Sequence, residues 1–575
     1  MRKRTPWKTG ITAAALAAIL VQASVPALAA DAQTSVVSAP SVNYGLTSDI
    51  RAALKGVSVE STAQGLQLAA VVRLYNGGTV QNRVPEHELR IRQADGLTYT
   101  LKPSATNKTA LQPKEIGELV YMATVDSKAE FKPAELSLVN VNEYTYPKQE
   151  TTLLTLPAAD QVWYGAGSEN GRQRESLAWG TTFRIPGLNS ELVYTPVGLS
   201  KQSTAQGTAD VVTLLVENPG VGKETVPSFR IDGRAAAKTY TGAFTDKQPV
   251  VVEAGAKAYV HIAIPYENGS ALTELFVMTT DTFTQAGNPA TQVAIDTGRL
   301  KLALPDGGQA DRLPDAYTLG TPIAFDPLTK VVDAQTEVSL MELHLHENPD
   351  EGYQTVVGKF KITNKGSIPA ALPAFQTQLV SGTGATYAGS RQANVAETLN
   401  PGLSYVISYS FNVPQSEKGD ALTLKLLDAQ TASPYVSTAA SLATSVQQET
   451  TEERLDLYPF DVKLNYYTIS AATTGAQTIA YTYKVLLDLD IAQAEDVVAD
   501  ANSSKLRFEV VDTLGRILGS TDGVFTGTNK LVSGRQTLTF ANIKSEQLEF
   551  PVTVNVYEVI QTPGGEAKRL LKTLR

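Results

Sequence analysis

The chain has 575 residues, a net charge of −9, 42% hydrophobic and 19% charged residues, and no cysteine. That length predicts three to five domains, and the composition is that of a globular chain rather than a disordered one. Zero cysteines exclude disulfides and thiolate metal sites, while an acidic balance spread over the whole length disfavours nucleic acid and anionic membrane as partners.

Residues 1–29 read as a secretion signal. Arg2, Lys3, Arg4 and Lys8 form a positive start, an apolar run follows from Ile11 to Val21, and Ala27-Leu28-Ala29 supplies the small residues of a cleavage site. The apolar run is too short to span a bilayer of about 30 Å comfortably. Without the signal the balance is 45 basic against 58 acidic residues, or −13. A lipid anchor would need a cysteine, and the ending Lys568-Arg569-Leu-Leu-Lys572-Thr-Leu-Arg575 lacks a hydrophobic sorting tail. The expectation is export, with the protein then extracellular or held non-covalently at the cell surface, and no transmembrane segment after signal cleavage.

A pattern then recurs about every 140 residues. Asn76, Gly78, Pro85, Thr98-Tyr99 and Leu111-Gln-Pro113 are echoed by Asn218, Gly220, Pro227, Thr239-Tyr240 and Val252-Glu-Ala254-Gly255. Asn364, Gly366, Pro373, Thr386-Tyr387 and Leu399-Asn-Pro401-Gly402 make the third copy. Asn to Pro is 9 residues in all three, and Pro to Tyr is 14, 13 and 14. Agreement at separated anchors marks one domain type reused.

Short β-rich runs precede each Asn: Leu66–Leu74, Val211–Val216 and Val356–Ile362. Asn-x-Gly is expected to end the strand in a tight turn, through the positive φ that Asn and Gly tolerate. The proline then opens a strand at an edge or first position. Ser404–Phe411 is the clearest alternating run, with Tyr405, Ile407, Tyr409 and Phe411 on pleat positions different from the serines, which is expected to give one core face and one wet face. Leu136–Leu138, Leu275–Val277 and Leu422–Leu424 close the copies. About seven short strands per copy describe an antiparallel β-sandwich, and a propeller blade would be too short for this period. A divergent fourth copy includes Tyr481–Leu487, which runs into Asp488 and an insertion rich in Asp and Ala. The predicted fold is all-β, about four tandem immunoglobulin-like antiparallel sandwiches, at residues 30–150, 151–305, 306–447 and 448–575. The acidic stretch Gln447–Glu453 is expected to be a solvated linker.

Residues 356–426 resemble the immunoglobulin-like extracytoplasmic domains of unknown function that recur in secreted proteins and lipoproteins of Gram-positive bacteria. The likeness is carried by Thr363-Asn364-Lys365-Gly366, Gly384-Ala-Thr-Tyr387, Leu399-Asn-Pro401-Gly402 and Phe411-Asn-Val413-Pro414. The second copy is also similar to bacterial cell-adhesion-related modules, through Val216-Glu-Asn218-Pro-Gly220 and Glu253-Ala-Gly255. These motifs are structural, and the resemblance implies no catalytic residue.

Three constellations are candidates for chemistry. In a strand, Glu342, His344 and His346 share a face opposite Met341, Leu343 and Leu345. Two imidazoles and a carboxylate there would suit zinc or copper, but a wet face opposite a core gives the same alternation, and that reading is preferred. Trp163, Tyr164 and Trp179 are candidate ligand-binding residues, because exposed rings stack on sugar faces. The competing reading is burial in a core or a domain interface. Asp488 with Asp490, and Asp496 with Asp500, lack the calcium-loop pattern, so a solvated acidic loop is preferred.

No nucleophile elbow, H-E-x-x-H, phosphate loop or S-x-x-K set occurs. The sequence therefore predicts a secreted, non-enzymatic protein without a cofactor, a binding or structural component of the cell envelope or extracellular matrix. Cell-wall or extracellular polysaccharide, or another surface protein, is the expected partner. The alternative is a carbohydrate-binding or enzyme-accessory protein.

Overall fold

The structure is a computed structural model. It describes residues 42–575 apart from 127–129, 167, 169–175, 206, 237, 268, 288, 349–351, 449–452, 475–479, 502, 544–547 and 563–564. The expected signal and the residues up to 41 lie outside the described residues, as does most of the expected linker. Among the described residues the regular elements are strands, apart from two single-turn 3-10 helices at Ala159–Gln161 and Asp306–Gly308.

Alternating apolar residues on these strands gather into four large buried clusters, spanning residues 50–162, 183–302, 323–442 and 455–574. Each lies between sheets, because one pleat face must leave water while the other stays wet. The architecture is all-β and multidomain, consistent with tandem β-sandwich-like domains.

Around the second cluster, a four-stranded sheet of Val193–Thr204, Gly207–Glu217, Lys257–Tyr266 and Ala243–Phe244 opposes a five-stranded one. The third cluster has the same plan, with Thr336–Asn348, Tyr353–Asn364, Ser404–Pro414 and Ser390–Arg391 in one sheet. Around the first, the sheets join into one curled sheet, because Thr98–Pro103 pairs with Glu88–Gln93 and also with Ile116–Val125.

The first hairpin of every repeat carries a bulge at the same place: Leu54/Gly56, Pro196/Gly198, Leu340/Glu342 and Leu464/Tyr466. A second recurs in every closing hairpin, at Thr152/Leu154, Val277/Met278, Leu426/Leu427 and Val556/Tyr557. An extra residue bends and twists the strand, and the fourth repeat keeps both bulges where its sequence anchors have diverged.

The repeated Asn is a buried hydrogen-bonding hub, with Asn76, Asn218 and Asn364 at most 1% exposed. Each side-chain oxygen accepts the N–H of the glycine two residues on, at 3.0, 2.9 and 2.9 Å. Each amide nitrogen donates to the carbonyl four residues on, of Val80, Gly222 or Ile368, at 2.8 Å in all three. It also donates across the core to Leu111, Val252 or Leu399. The polar head is thus satisfied where burial would otherwise be costly.

The expected cause of the glycine is corrected. Gly78, Gly220 and Gly366 have no positive φ; a Cβ there would stand 3.0–3.1 Å from the Asn oxygen that the N–H must reach. The left-handed residues lie on the facing turn, at Lys114, Gly255 and Gly402, with φ of 61°, 71° and 75°.

The fourth repeat has its own version. Gln493 pairs with Phe460 as Asn76 pairs with Ile50, and its Nε2 donates to the carbonyl of Val497, again four residues on, at 2.5 Å. Beyond this hub the path of the chain differs. The small strand after the hub pairs within its own repeat in the first three copies, Asn82–Arg83 with Ala110–Leu111 for example. In the fourth, Val497–Val498 pairs in parallel with Ser404–Tyr405 of the third.

Candidate functional sites at the junctions between cores

Some of the sequence candidates fall where one repeat meets the next. Tyr353–Asn364 places Lys359 on the face turned away from the third core, yet its side chain is 1% exposed because the fourth repeat covers it. Its ammonium has three donors and meets three acceptors: Glu342 at 2.9 Å, Glu558 at 2.6 Å and the Tyr458 carbonyl at 2.9 Å. The Tyr458 N–H donates in turn to Glu342 Oε1 at 2.7 Å. Glu558 also takes Arg569 Nε and Nη2, at 3.0 and 2.9 Å. Two acids and two bases therefore neutralise one another out of water, the condition under which buried charge is tolerated. Burial alone would raise the Glu558 carboxyl, but Lys359 and Arg569 outweigh it and hold it below the usual carboxylate range.

This revises the reading of Glu342, His344 and His346. Glu342 and His344 are 7% and 1% exposed, so the face read as wet is covered. Glu342 serves Lys359. Beside His344, Leu343 N–H donates to the Gln447 side-chain oxygen and Gln447 N–H to the Leu343 carbonyl, at 2.9 and 2.8 Å. Gln447, expected in a solvated linker, thus clasps the strand. The His346 side chain lies outside the described residues. Among the described residues no three His, Cys, Asp or Glu side chains come together as a metal set.

The acidic insertion also docks. The Asp496 carbonyl accepts the Ser404 N–H at 2.6 Å, and an Asp500 carboxylate oxygen accepts the Tyr405 hydroxyl at 3.1 Å. Burial, with Asp500 adding to it, pushes the Tyr405 phenol up to about 12. Asp488 faces Arg535 at 3.4 Å and Asp490 accepts from Asn465 at 2.9 Å, so the carboxylates of Asp488, Asp490 and Asp500 serve separate contacts, and Asp496 docks through its backbone.

Trp163, Tyr164 and Trp179 pack in three different places. Trp163, 3% exposed, stands edge-on to Phe276 of the second repeat at 5.6 Å. Gly298 permits this, since a Cβ there would meet the indole at 2.5 Å. Tyr164 packs half-buried against the first core and Trp179 against the second. The same junction adds an apolar patch of Ala69, Val71 and Val120 with Phe283 and Ile295. Lys55, the bulge residue of the first hairpin, reaches Glu118 at 2.7 Å and Asp281 at 2.6 Å, while Arg299, a bulge residue of the second repeat, donates to its carbonyl at 2.6 Å. Bulge meets bulge.

The second and third repeats join through fewer bonds. Gln202 exchanges two hydrogen bonds with the Val436 backbone, at 2.8 and 2.9 Å, and the Tyr259 hydroxyl donates to Asp326 at 2.8 Å. Sequence reasoning did not single out Lys55, Gln202, Tyr259, Lys359 or Glu558 as contacts between repeats. Lys359 and Glu558 look like ordinary charges on alternating strands, and only the covering repeat makes them buried.

No family model matches the chain, and no curated protein matches it. Among solved structures it is similar to the crystal structure of trypsin-activated alpha-2-macroglobulin from Escherichia coli, at 9% identity and a TM-score of 0.12. That match covers 92% of this chain, which spans about a third (32%) of the other's length. A likeness at this level assigns neither fold nor function. Among the described residues no helix is long and apolar enough to cross a membrane.

Proposed function

We propose that this is a secreted, non-enzymatic component of the cell envelope or extracellular matrix, made of four tandem immunoglobulin-like sandwiches in which the chain binds and spaces rather than catalyses. The observation that carries the reading is the Lys359 junction. Buried charge, backbone clamps and a shared strand pair are spent on fixing one repeat against the next, which suits a stiff spacer that presents loops at its surface. Residues 30–575 should co-sediment with isolated cell walls or bind a soluble extracellular polysaccharide without releasing product. Product release that disappears on mutating a carboxylate pair would overturn the non-enzymatic reading, and failure to associate with any envelope fraction would overturn the envelope role.

Carbohydrate binding is the second reading, and one observation favours it. Tyr144 and Tyr146 stand fully exposed in the turn between Pro133–Asn142 and Gln149–Pro157, where rings could stack on sugar faces. Replacing both by alanine should then weaken polysaccharide retention while the melting temperature stays unchanged.

A further inference from the structure

Gly534–Ile543 is the outer strand of one sheet of the last core, and Ile517–Gly523 is the outer strand of the other. They face each other across an open cleft of about 500 Å³, lined by Leu518, Gly519, Thr539, Phe540 and Ile543 among others. Among the described residues no strand adds to either edge.

In the other three repeats the corresponding edge is filled. Lys102–Pro103 pairs antiparallel with Tyr121–Met122, Ala243–Phe244 with Ile262–Ala263, and Ser390–Arg391 with Tyr409–Ser410. In the second repeat the strand also delivers a ring to the core, Phe244 against Phe229 at 5.1 Å. The fourth repeat has the slot without the strand, because its chain turns back through a bridge between Val524 and Lys530. Free edges are normally blunted by charge or proline, yet Gln536–Ala541 contains neither.

Between the expected signal and the first described residue lies Ala30-Asp-Ala-Gln-Thr-Ser-Val-Val-Ser-Ala-Pro-Ser41. Gln33–Ala39 is uncharged and carries Thr34, Val36 and Val37, residues that fit a pleated, half-buried surface. At about 3.3 Å per residue the segment reaches roughly 40 Å, enough to lie along the edge. We infer that this segment of one copy adds as an antiparallel strand to Gly534–Ile543 of a second copy. Each chain offers one segment, before its first core, and one slot, in its last. Segment and slot are different surfaces, so contacts made head to tail extend the assembly into an open filament unless the rotation closes it on itself. The inference rests on the proposed secretion, since removal of residues 1–29 is what frees Ala30.

The test compares residues 30–575 with residues 42–575 by sedimentation over a concentration series, and adds a synthetic peptide of residues 30–41 to the shorter chain under hydrogen exchange. The longer chain should form oligomers that lengthen with concentration, and the shorter one should stay monomeric. The peptide should slow exchange across Gln536–Ala541 by about tenfold and should arrest growth of the longer chain. A monomeric longer chain, equal assembly of both chains, or peptide protection elsewhere would overturn the inference. Protection of this edge by an envelope polypeptide, but not by the peptide, would show that the occupant is another protein and overturn it too. Wall association of residues 42–575, measured separately, tells failure of the filament from failure of the envelope role.

Discussion

Lys359 of the third repeat and Glu558 of the fourth meet at 2.6 Å with both side chains 1% exposed. Neither charge would be tolerated there alone, since an unpaired ion out of water costs far more than a pair returns. Each repeat thus buries a charge that it satisfies only in part, Lys359 through Glu342 and Glu558 through Arg569, and that its neighbour completes.

Lys359→Met should therefore destabilise the junction by about 3–5 kcal/mol, because Glu342 and Glu558 lose their common partner. Adding Glu558→Gln should recover part of the loss. Denaturant melts of the mature chain check both, and a double variant no better than the single would remove the coupling.

Acid should act on the same place. The Glu558 carboxyl is held below its ordinary range, so its contribution is fully present above the unfolded-state value of about 4.3. It is lost as the pH falls through the folded value. The protection of Thr553–Thr562, from exchange rates corrected for their intrinsic pH dependence, should fall on acidification from pH 5 in the parent chain, and Lys359→Met should flatten that dependence.

At the Asn hub, Asn364→Ala strips the partner from the Gly366 N–H and from two carbonyls, and should cost about 1–3 kcal/mol. Gln493→Ala should have a smaller effect in the same direction. Gly402→Ala, at φ 75°, should cost about 1 kcal/mol from backbone strain. Gly366→Ala is resisted only by the nearby Asn oxygen. Equal midpoints for Asn364→Ala and the parent chain would contradict the hub.

These residues also show what the sequence makes legible. The repeat was readable because the Asn, its glycine and the facing turn are close in sequence or fixed in spacing. Its cause was not, since a spacing cannot tell a φ requirement from a Cβ that would crowd Asn364 Oδ1. Gln493 escaped because a longer amide does the same work after a longer strand. Glu342 was misread and Lys359 passed over for one physical reason: alternation reports which face leaves the repeat's own core, not whether a second repeat covers the other face, whereas burial at an interface was already open as a reading of Trp163.

Trp163 gives an optical report on the first junction. Gly298→Ala would force the indole off the second repeat, whose Cβ position lies 2.5 Å from it. This should cost about 1–3 kcal/mol and shift the tryptophan emission to the red. An unshifted spectrum would place the indole elsewhere.

The most direct test of repeats fixed by buried junctions is denaturant-dependent hydrogen exchange on the mature chain, following Tyr353–Asn364 and Thr553–Thr562 together. The two strands should open with one common free energy, and Lys359→Met should lower both by the same amount. Independent opening in the parent chain, or a Lys359→Met effect confined to Tyr353–Asn364, would contradict the account.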